Sequence, residues 1–303
     1  MAVINILTYI PFQAAPILNS IKVGHNYDET WGPKRPLFQL GAPHLMTADI
    51  EGISIPSIPD FLSNLQHLTS LRISVTFNQD IPGATYNKLR DSLMALPSLN
   101  HLDLTIHDIF MDMEPRLPII LPTLHFLQLD GDGEGATSIV HSIQADYLIA
   151  LSLEQWEVID TEDTFNDRTE SQFPSLEHLV LNKDMPDLDA FARSLPKVER
   201  LTVGGRCGLI HMCIDTQDDW ERWTSLQVLA VGAFDSPTDL MGLPNIISKV
   251  KRGGHPIRKL MLPKVVLHLD DVAELRKLVE VEDFSIDLPN PFGKSLTILE
   301  DLL

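Results

Sequence analysis

Cys207, His211 and Cys213 lie close together and are the residue types that hold soft metal ions. Their C-x3-H-x-C spacing supplies three ligands and lacks the paired C-x2-C geometry of common zinc sites. Ordinary thiols beside a local histidine are therefore expected. DGDGEG, with Asp130, Asp132, Glu134 and Gly135, imitates the opening of a calcium loop. The twelfth position of that loop needs a bidentate glutamate and here is His141, so a turn between strand and return helix is expected instead. The chain contains no G-x4-G-K-S/T, no G-x-G-x-x-G after a strand, no H-E-x-x-H and no G-x-S-x-G. Carboxylates are abundant, but no cofactor or pocket signal selects an acid–base pair among them. The expectation is a protein that is not an enzyme, with no catalytic residue, no metal and no cofactor.

The charge balance points to partners rather than reactions. Net charge is −19, from 42 acidic and 23 basic side chains. Such a field repels nucleic-acid backbones and anionic membranes and favours a protein target with a basic segment. The basic run KVKR (249–252) is short, and is expected to cap the end of a helix beginning near Asp239. There are only two cysteines and no N-x-S/T acceptor site. The opening MAVINILTYIPFQAAPIL lacks a basic n-region and is interrupted by polar residues and proline. A reducing compartment, cytoplasmic or nuclear, is expected.

What would position any binding residues is an apolar pattern, L-x-x-L-x-L, that recurs along the whole chain. Its first positions are Leu18, Leu45, Leu68, Leu99, Leu124, Leu148, Leu176, Val198, Leu226, Ile257 and Val281. The last two apolar positions of each copy are two apart, which is strand periodicity, so they point inward and their neighbours outward. Helical returns are readable at 57–66, 87–96, 136–145, 187–195 and 269–280, the last with Val272, Leu275 and Leu278 or Val279 inward. Pro97, Pro122, Pro174, Pro196 and Pro256 stand just before the pattern, where proline ends a helix and extends the chain. Copies at this period predict an α/β solenoid, a curved horseshoe with a parallel concave sheet and irregular helical returns on its convex side. The whole of 1–303 reads as one domain of about 11 irregular repeats. Outgrowths are expected near 154–170 and 204–223, where Trp220 and Trp223 cover the repeat edge.

The outward strand positions should form the recognition surface. The central set is Lys22, Asp49, Arg72, Asp103, Gln128, Ser152, Val180, Thr202, Ala230 and Met261. The set after the pattern is Gly24, Glu51, Ser74, Thr105, Asp130, Glu154, Asn182, Gly204, Gly232 and Pro263. Their first half is net acidic through Asp49, Glu51, Asp103, Asp130 and Glu154, and their second half is small or apolar. A basic segment is thus expected on the first half and an apolar portion nearer the second, with charge swaps at Asp103, Asp130 and Glu154 weakening the complex. Trp156, amid the acids of 154–170, either anchors a basic ligand or packs on the repeat edge.

The phrases LPSLNHLDL (96–104), LPTLHFLQL (121–129) and FPSLEHLVL (173–181) resemble leucine-rich repeats. With APILNSIKVG (15–24), PLFQLGAPHLMTADIEGISIP (36–56) and GGHPIRKLMLP (253–263), the chain resembles the repeat region of fungal F-box proteins. The resemblance implies the substrate-recognition half of a ubiquitin-ligase subunit. The F-box, a helical module that docks on the ligase adaptor, has no room before Leu18, so adaptor binding is expected only if an F-box lies upstream. The other expectation is a stand-alone repeat scaffold or inhibitor. The asparagine ladder of many such repeats is missing: three positions beyond the pattern only Asn26 matches, so each turn must satisfy its backbone individually.

Overall fold

A computed structural model describes residues 14–24, 37–76, 83–107, 117–131, 139–154, 172–182, 191–192, 194–204, 223–234, 240, 242–252, 257–285 and 288–292. The chain divides into two compact units, Met1–Tyr147 and Leu148–Leu303.

In the first unit the repeated pattern forms β1 (Ser20–Val23), β2 (Thr47–Ile53), β3 (Ser70–Thr76), β4 (His101–His107) and β6 (Phe126–Gly131). Each is parallel to its neighbour in that order. In the second unit β8 (Ala150–Glu154), β9 (His178–Asn182), β10 (Arg200–Val203), β11 (Val228–Val231), β12 (Lys259–Leu262) and β13 (Glu280–Asp283) pair in the same sequential, parallel way. The architecture of each unit is thus an all-parallel, sequentially hydrogen-bonded sheet with short helices in its connections.

The register follows the apolar pattern from β1 to β6 and from β8 to β12. The last copy, expected as Val281-Phe284-Ile286, is displaced: Leu260 pairs with Val281 and Leu262 with Asp283, so the strand begins three residues earlier and an aspartate takes its final inward position. Leu71, Leu102 and Leu127 lie side by side, as do Ile73, Leu104 and Leu129, and all six are 2% exposed or less. Full burial of one such side chain contributes about 1.5–3 kcal/mol, so a slip of one residue would turn a whole stabilising row into water. One irregularity interrupts the pairing of β2 and β3 between Glu51 and Ile53, where Gly52 adopts φ 74°, a bulge that a side chain would strain.

Entry into each strand is solved the same way. Pro97, Pro122, Pro174 and Pro196 do not simply end helices; each takes the second position of a hydrogen-bonded turn. The closing bonds run from Leu99 N to Leu96 O (3.2 Å), Leu124 N to Leu121 O (3.2 Å), Leu176 N to Phe173 O (3.2 Å) and Val198 N to Leu195 O (3.3 Å). Proline suits that position because its ring fixes the φ the turn needs. Trp223, fully buried, opens the equivalent turn with Leu226. One residue further, a single carbonyl accepts two amides of the next repeat: Thr69 O takes Asn100 N (2.8 Å) and His101 N (3.0 Å). Asn19, Met46, Asn100, Ile149, Glu177, Glu199 and Gln227 do the same. At three exits in the second unit the amides of Gly204, Gly232 and Phe284 donate to the carbonyls of Leu181, Val203 and Leu262, each at 2.8 Å. Further on the exits differ, since three positions beyond the pattern Ile53 is buried and Val265 is 71% exposed.

The returns vary more than their apolar spacing predicts. Ile58–Leu62 and Gly83–Met94 are helices, the second turning Tyr86, Leu89 and Leu93 inward. Asp270–Leu278 is a helix that buries Val272 and Leu275, and Val279 rather than Leu278 completes the stripe. Of the helix expected at 136–145, residues 139–142 are helical, but Ile143–Gln144 form β7, parallel to β5 (Ile119–Ile120). The two buried β-branched residues Ile119 and Ile143 pair there, and strand propensity with packing overrides the helical apolar spacing. Of 187–195, residues 191, 192 and 194 are helical and the others, except 195, lie outside the described residues. Leu243–Arg252 is a helix that starts later than Asp239, with Pro244 in its first turn, where a missing N–H costs nothing. Lys251 of the basic run donates to the carbonyl of Leu278, at the end of the neighbouring helix rather than its own. No helix among the described residues is long and apolar enough to cross a membrane.

Candidate functional site on the outward face of the first unit

Side chains that alternate with the buried leucines form rows across the first sheet. At strand entry the row is Ser20, Thr47, Ser70, His101 and Phe126; two residues on it is Lys22, Asp49, Arg72, Asp103 and Gln128. Glu51, Ser74, Thr105 and Asp130 make the third.

The middle row alternates in sign, and neighbouring strands bring opposite charges into contact. Lys22 Nζ lies 2.9 Å from Asp49 Oδ2 and 2.9 Å from Glu51 Oε1. Arg72 Nε donates to Asp103 Oδ2 at 2.5 Å, and its Nη1 stands 3.7 Å from Asp49 Oδ2. Asp49 and Asp103 are only 4% and 3% exposed. They are not an open acidic surface; they are the buried rungs of a charge ladder. Asp49 Oδ1 is buried and accepts no hydrogen bond among the described residues.

Burial dominates the electrostatics of Asp103. It raises the carboxyl pKa above its ordinary value, and the charge and hydrogen bond of Arg72 pull it back only in part. Lys22 is shifted upward, chiefly by its bonds to Asp49 and Glu51. His101 is lowered to about 4, first by burial and then by the charge of Arg72. Its ring stacks on Phe126 with centroids 5.8 Å apart and planes 28° apart, so near neutral pH the pair is an uncharged aromatic platform. A histidine with a lowered native pKa binds protons less readily folded than unfolded, so stability is complete above pH 6.5 and falls as pH drops towards 4. That loss should be roughly 3 kcal/mol at about 1.4 kcal/mol per pH unit. His101→Phe should abolish it, which urea midpoints of the two proteins at pH 7 and pH 4 will read.

The second unit presents its outward face differently. Ser152, Val180, Thr202, Ala230 and Met261 are all 5% exposed or less. His178 Nε2 and Thr202 Oγ1 are bonded at 2.9 Å. A side chain at Gly232 would begin 3.0 Å from the ring of Phe284, and Arg200 Nη2 donates to Ser285 O at 2.5 Å. The small and apolar row expected to receive a partner is therefore closed over within the chain.

Among the residues expected to bind, Asp49, Glu51, Asp103 and Asp130 thus share one face of the first unit. Glu154 belongs to β8 of the second, where Asn182 Nδ2 donates to its Oε1 at 3.3 Å. Trp156 lies outside the described residues, as do 155–170, 205–222 with the Cys207, His211 and Cys213 group, and Asp132 to Gly135. Among the described residues no cluster of three or more His, Cys, Asp or Glu is placed to hold a metal ion. Sequence reasoning passed over the strand-entry row, and with it the His101–Phe126 platform. Two signals were available: these positions alternate with the apolar ones, and reading the middle row across copies gives Lys, Asp, Arg, Asp in order. The class defined is a parallel α/β arrangement of sequentially paired strands, and the first unit carries a charge ladder on its outward sheet face. No family model matches the chain, and comparison with curated proteins returns no match.

Proposed function

We propose that this chain is a non-catalytic protein-recognition module of the leucine-rich-repeat kind, and that the outward face of the first unit is its binding surface. The observation that carries this reading is the contrast in the middle row: the first unit keeps Lys22, Arg72 and Gln128 at least partly exposed there, while Ser152, Val180, Thr202, Ala230 and Met261 of the second are buried. Ion pairs with the buried carboxylates Asp49 and Asp103 hold Lys22 and Arg72 in place before a partner arrives, which lowers the ordering cost of binding. The likeness of LPSLNHLDL, LPTLHFLQL and FPSLEHLVL to fungal F-box repeats supports a role in holding a substrate for a ubiquitin ligase. The same surface would serve a stand-alone scaffold.

The test is quantitative affinity capture from native extract with wild type and a Glu51→Lys, Asp130→Lys variant. Asp103 is unsuitable, because a lysine there would face Arg72 in a buried site. Selective loss of a partner by at least about tenfold, roughly 1.4 kcal/mol, is expected with the melting temperature of the variant close to wild type. Identical partner lists would reject this face. Ligase subunits among the captured proteins separate the ligase role from the scaffold role.

A further inference from the structure

We propose that the outer edge of β1 is an interface between two copies of this chain, which pair their first strands antiparallel about a two-fold axis at Ile21. The proposal is independent of the recognition reading above.

β1 begins the sheet of the first unit and β13 ends that of the second, and among the described residues neither has a second neighbouring strand. On the β2 side, Asn19 O accepts the amides of Met46 (2.9 Å) and Thr47 (3.2 Å). Backbone groups alternate in direction along a strand, so the N–H and C=O of Ser20 and Lys22 point to the outer edge. Ile21 takes an inward position yet is only half-buried, whereas Ala48, Leu71, Leu102 and Leu127 in the same row are 2% exposed or less. Two more apolar side chains are open at this end, Ile17 at 89% and Leu40 at 71% exposure. Ile17 precedes β1 by three residues, and Leu40 adjoins Gly41, whose carbonyl accepts Ala15 N at 2.9 Å.

An unpaired edge invites another strand unless charge, proline or a bulge protects it. β13 is protected: Glu280 and Asp283 are exposed, and Asp283 holds an inward position beside Leu262. β1 carries no carboxylate, and its Lys22 is turned to Asp49 and Glu51 of its own copy. Charge therefore selects which edge a second copy brings. β13 against β13 would gather carboxylates from both copies, and β13 against β1 would bury Asp283 beside Val23 without a counter-ion. β1 against β1 does neither. Its backbone is also self-complementary. With Ile21 opposite Ile21, Ser20 of each copy lies opposite Lys22 of the other, and the outward groups of that pair exchange both hydrogen bonds. The two isoleucines then form the non-bonded pair, where side chains come closest, and both stay on the inward side.

The experiment is sedimentation equilibrium of the 303-residue chain from about 1 µM to about 1 mM. A closed monomer–dimer equilibrium is expected, with Kd about 10–100 µM, because one short strand pair with its flanks is smaller than a standard interface. Each copy carries −19, so the dimer should tighten as salt screens the mutual repulsion. Ser20→Pro removes an outward N–H and spares the bonds to β2, while Ile21→Asp copies the inward carboxylate of β13. Each should weaken the dimer at least about tenfold with a melting temperature close to wild type. Should one of them fail to fold, the other decides. Val281→Pro makes the same backbone change on the outer edge of β13 and should leave the dimer unaltered. A chain that stays monomeric throughout overturns the proposal. Growth beyond the dimer, or association that salt weakens and Val281→Pro abolishes, would show β1 meeting β13 and overturn it. A dimer that survives the β1 variants places the contact elsewhere and overturns it as well.

Discussion

Arg72→Met should destabilise the first unit by about 3–5 kcal/mol, towards the lower end, because it strips the cation from a carboxylate buried in the sheet face. Asp103 is 3% exposed and bonded to Arg72 at 2.5 Å, while the Arg72 side chain itself retains 19% exposure. Lys22 would still hold Asp49, so the loss centres on Asp103. The variant carries a pH signature. Burial already raises the Asp103 pKa and Arg72 opposes that rise, so without Arg72 the native carboxyl binds its proton more tightly still. The folded protein then holds more protons than the unfolded chain over the window from the raised native value down to 3.8. Stability therefore increases as pH falls through that window, and the deficit of the variant should narrow. Urea midpoints at pH 7 and pH 5 measure this. Adding Asp103→Leu should restore at least half the loss at neutral pH, since a buried pair replaced by apolar groups is often near neutral. A deficit that is the same at both pH values would contradict a buried charge as its cause.

Leu102→Ala should cost about 2–5 kcal/mol, of similar size but different origin. Leu102 is the residue before Asp103 on β4, faces the opposite side of the sheet, and is fully buried between Leu71 and Leu127. Three methyl or methylene-sized groups would be lost from a row whose neighbours are held by the ladder hydrogen bonds and cannot close the gap. No titratable group is involved, so the midpoint shift should be equal at pH 7 and pH 5. The two variants thus separate the sheet's two faces: an apolar face whose contribution ignores pH, and a polar face whose contribution follows it. A Leu102→Ala shift under about 1 kcal/mol would mean that the row can repack, contrary to the rigidity expected of close-packed interiors.

These effects bear on recognition because stability and binding share residues on the outward face. Asp49 and Asp103 belong to the fold, although their residue type and outward position suggest a ligand. Glu51 and Asp130 keep partial exposure on the same face. A mutational map of binding that includes Asp103 would confuse unfolding with loss of contact.

Ten strands, their parallel neighbours and their register were legible in the repeated pattern, whereas the short pair Ile119–Ile120 with Ile143–Gln144 and the register of the last copy at Val281 were not. An apolar side chain has one favourable environment, so Leu68-Leu71-Ile73 or Leu99-Leu102-Leu104 can only face inward, and copies of one pattern align with each other. The proline before each pattern likewise identified the turn region, though not the hydrogen bond that closes it. Polar positions were less legible, because the same carboxylate suits water, a ligand or a neighbouring guanidinium. Folding alone brings Asp103 to Arg72, thirty-one positions earlier in the chain, while Asp130 keeps some access to solvent. The folded chain also buries Thr202, Ala230 and Met261, sets the ring of Phe284 against Gly232 and bonds Arg200 to the carbonyl of Ser285. The physical reason is range: burial of the leucines is written into each repeat and its immediate neighbours, whereas the fate of an outward side chain depends on whatever distant segment reaches it.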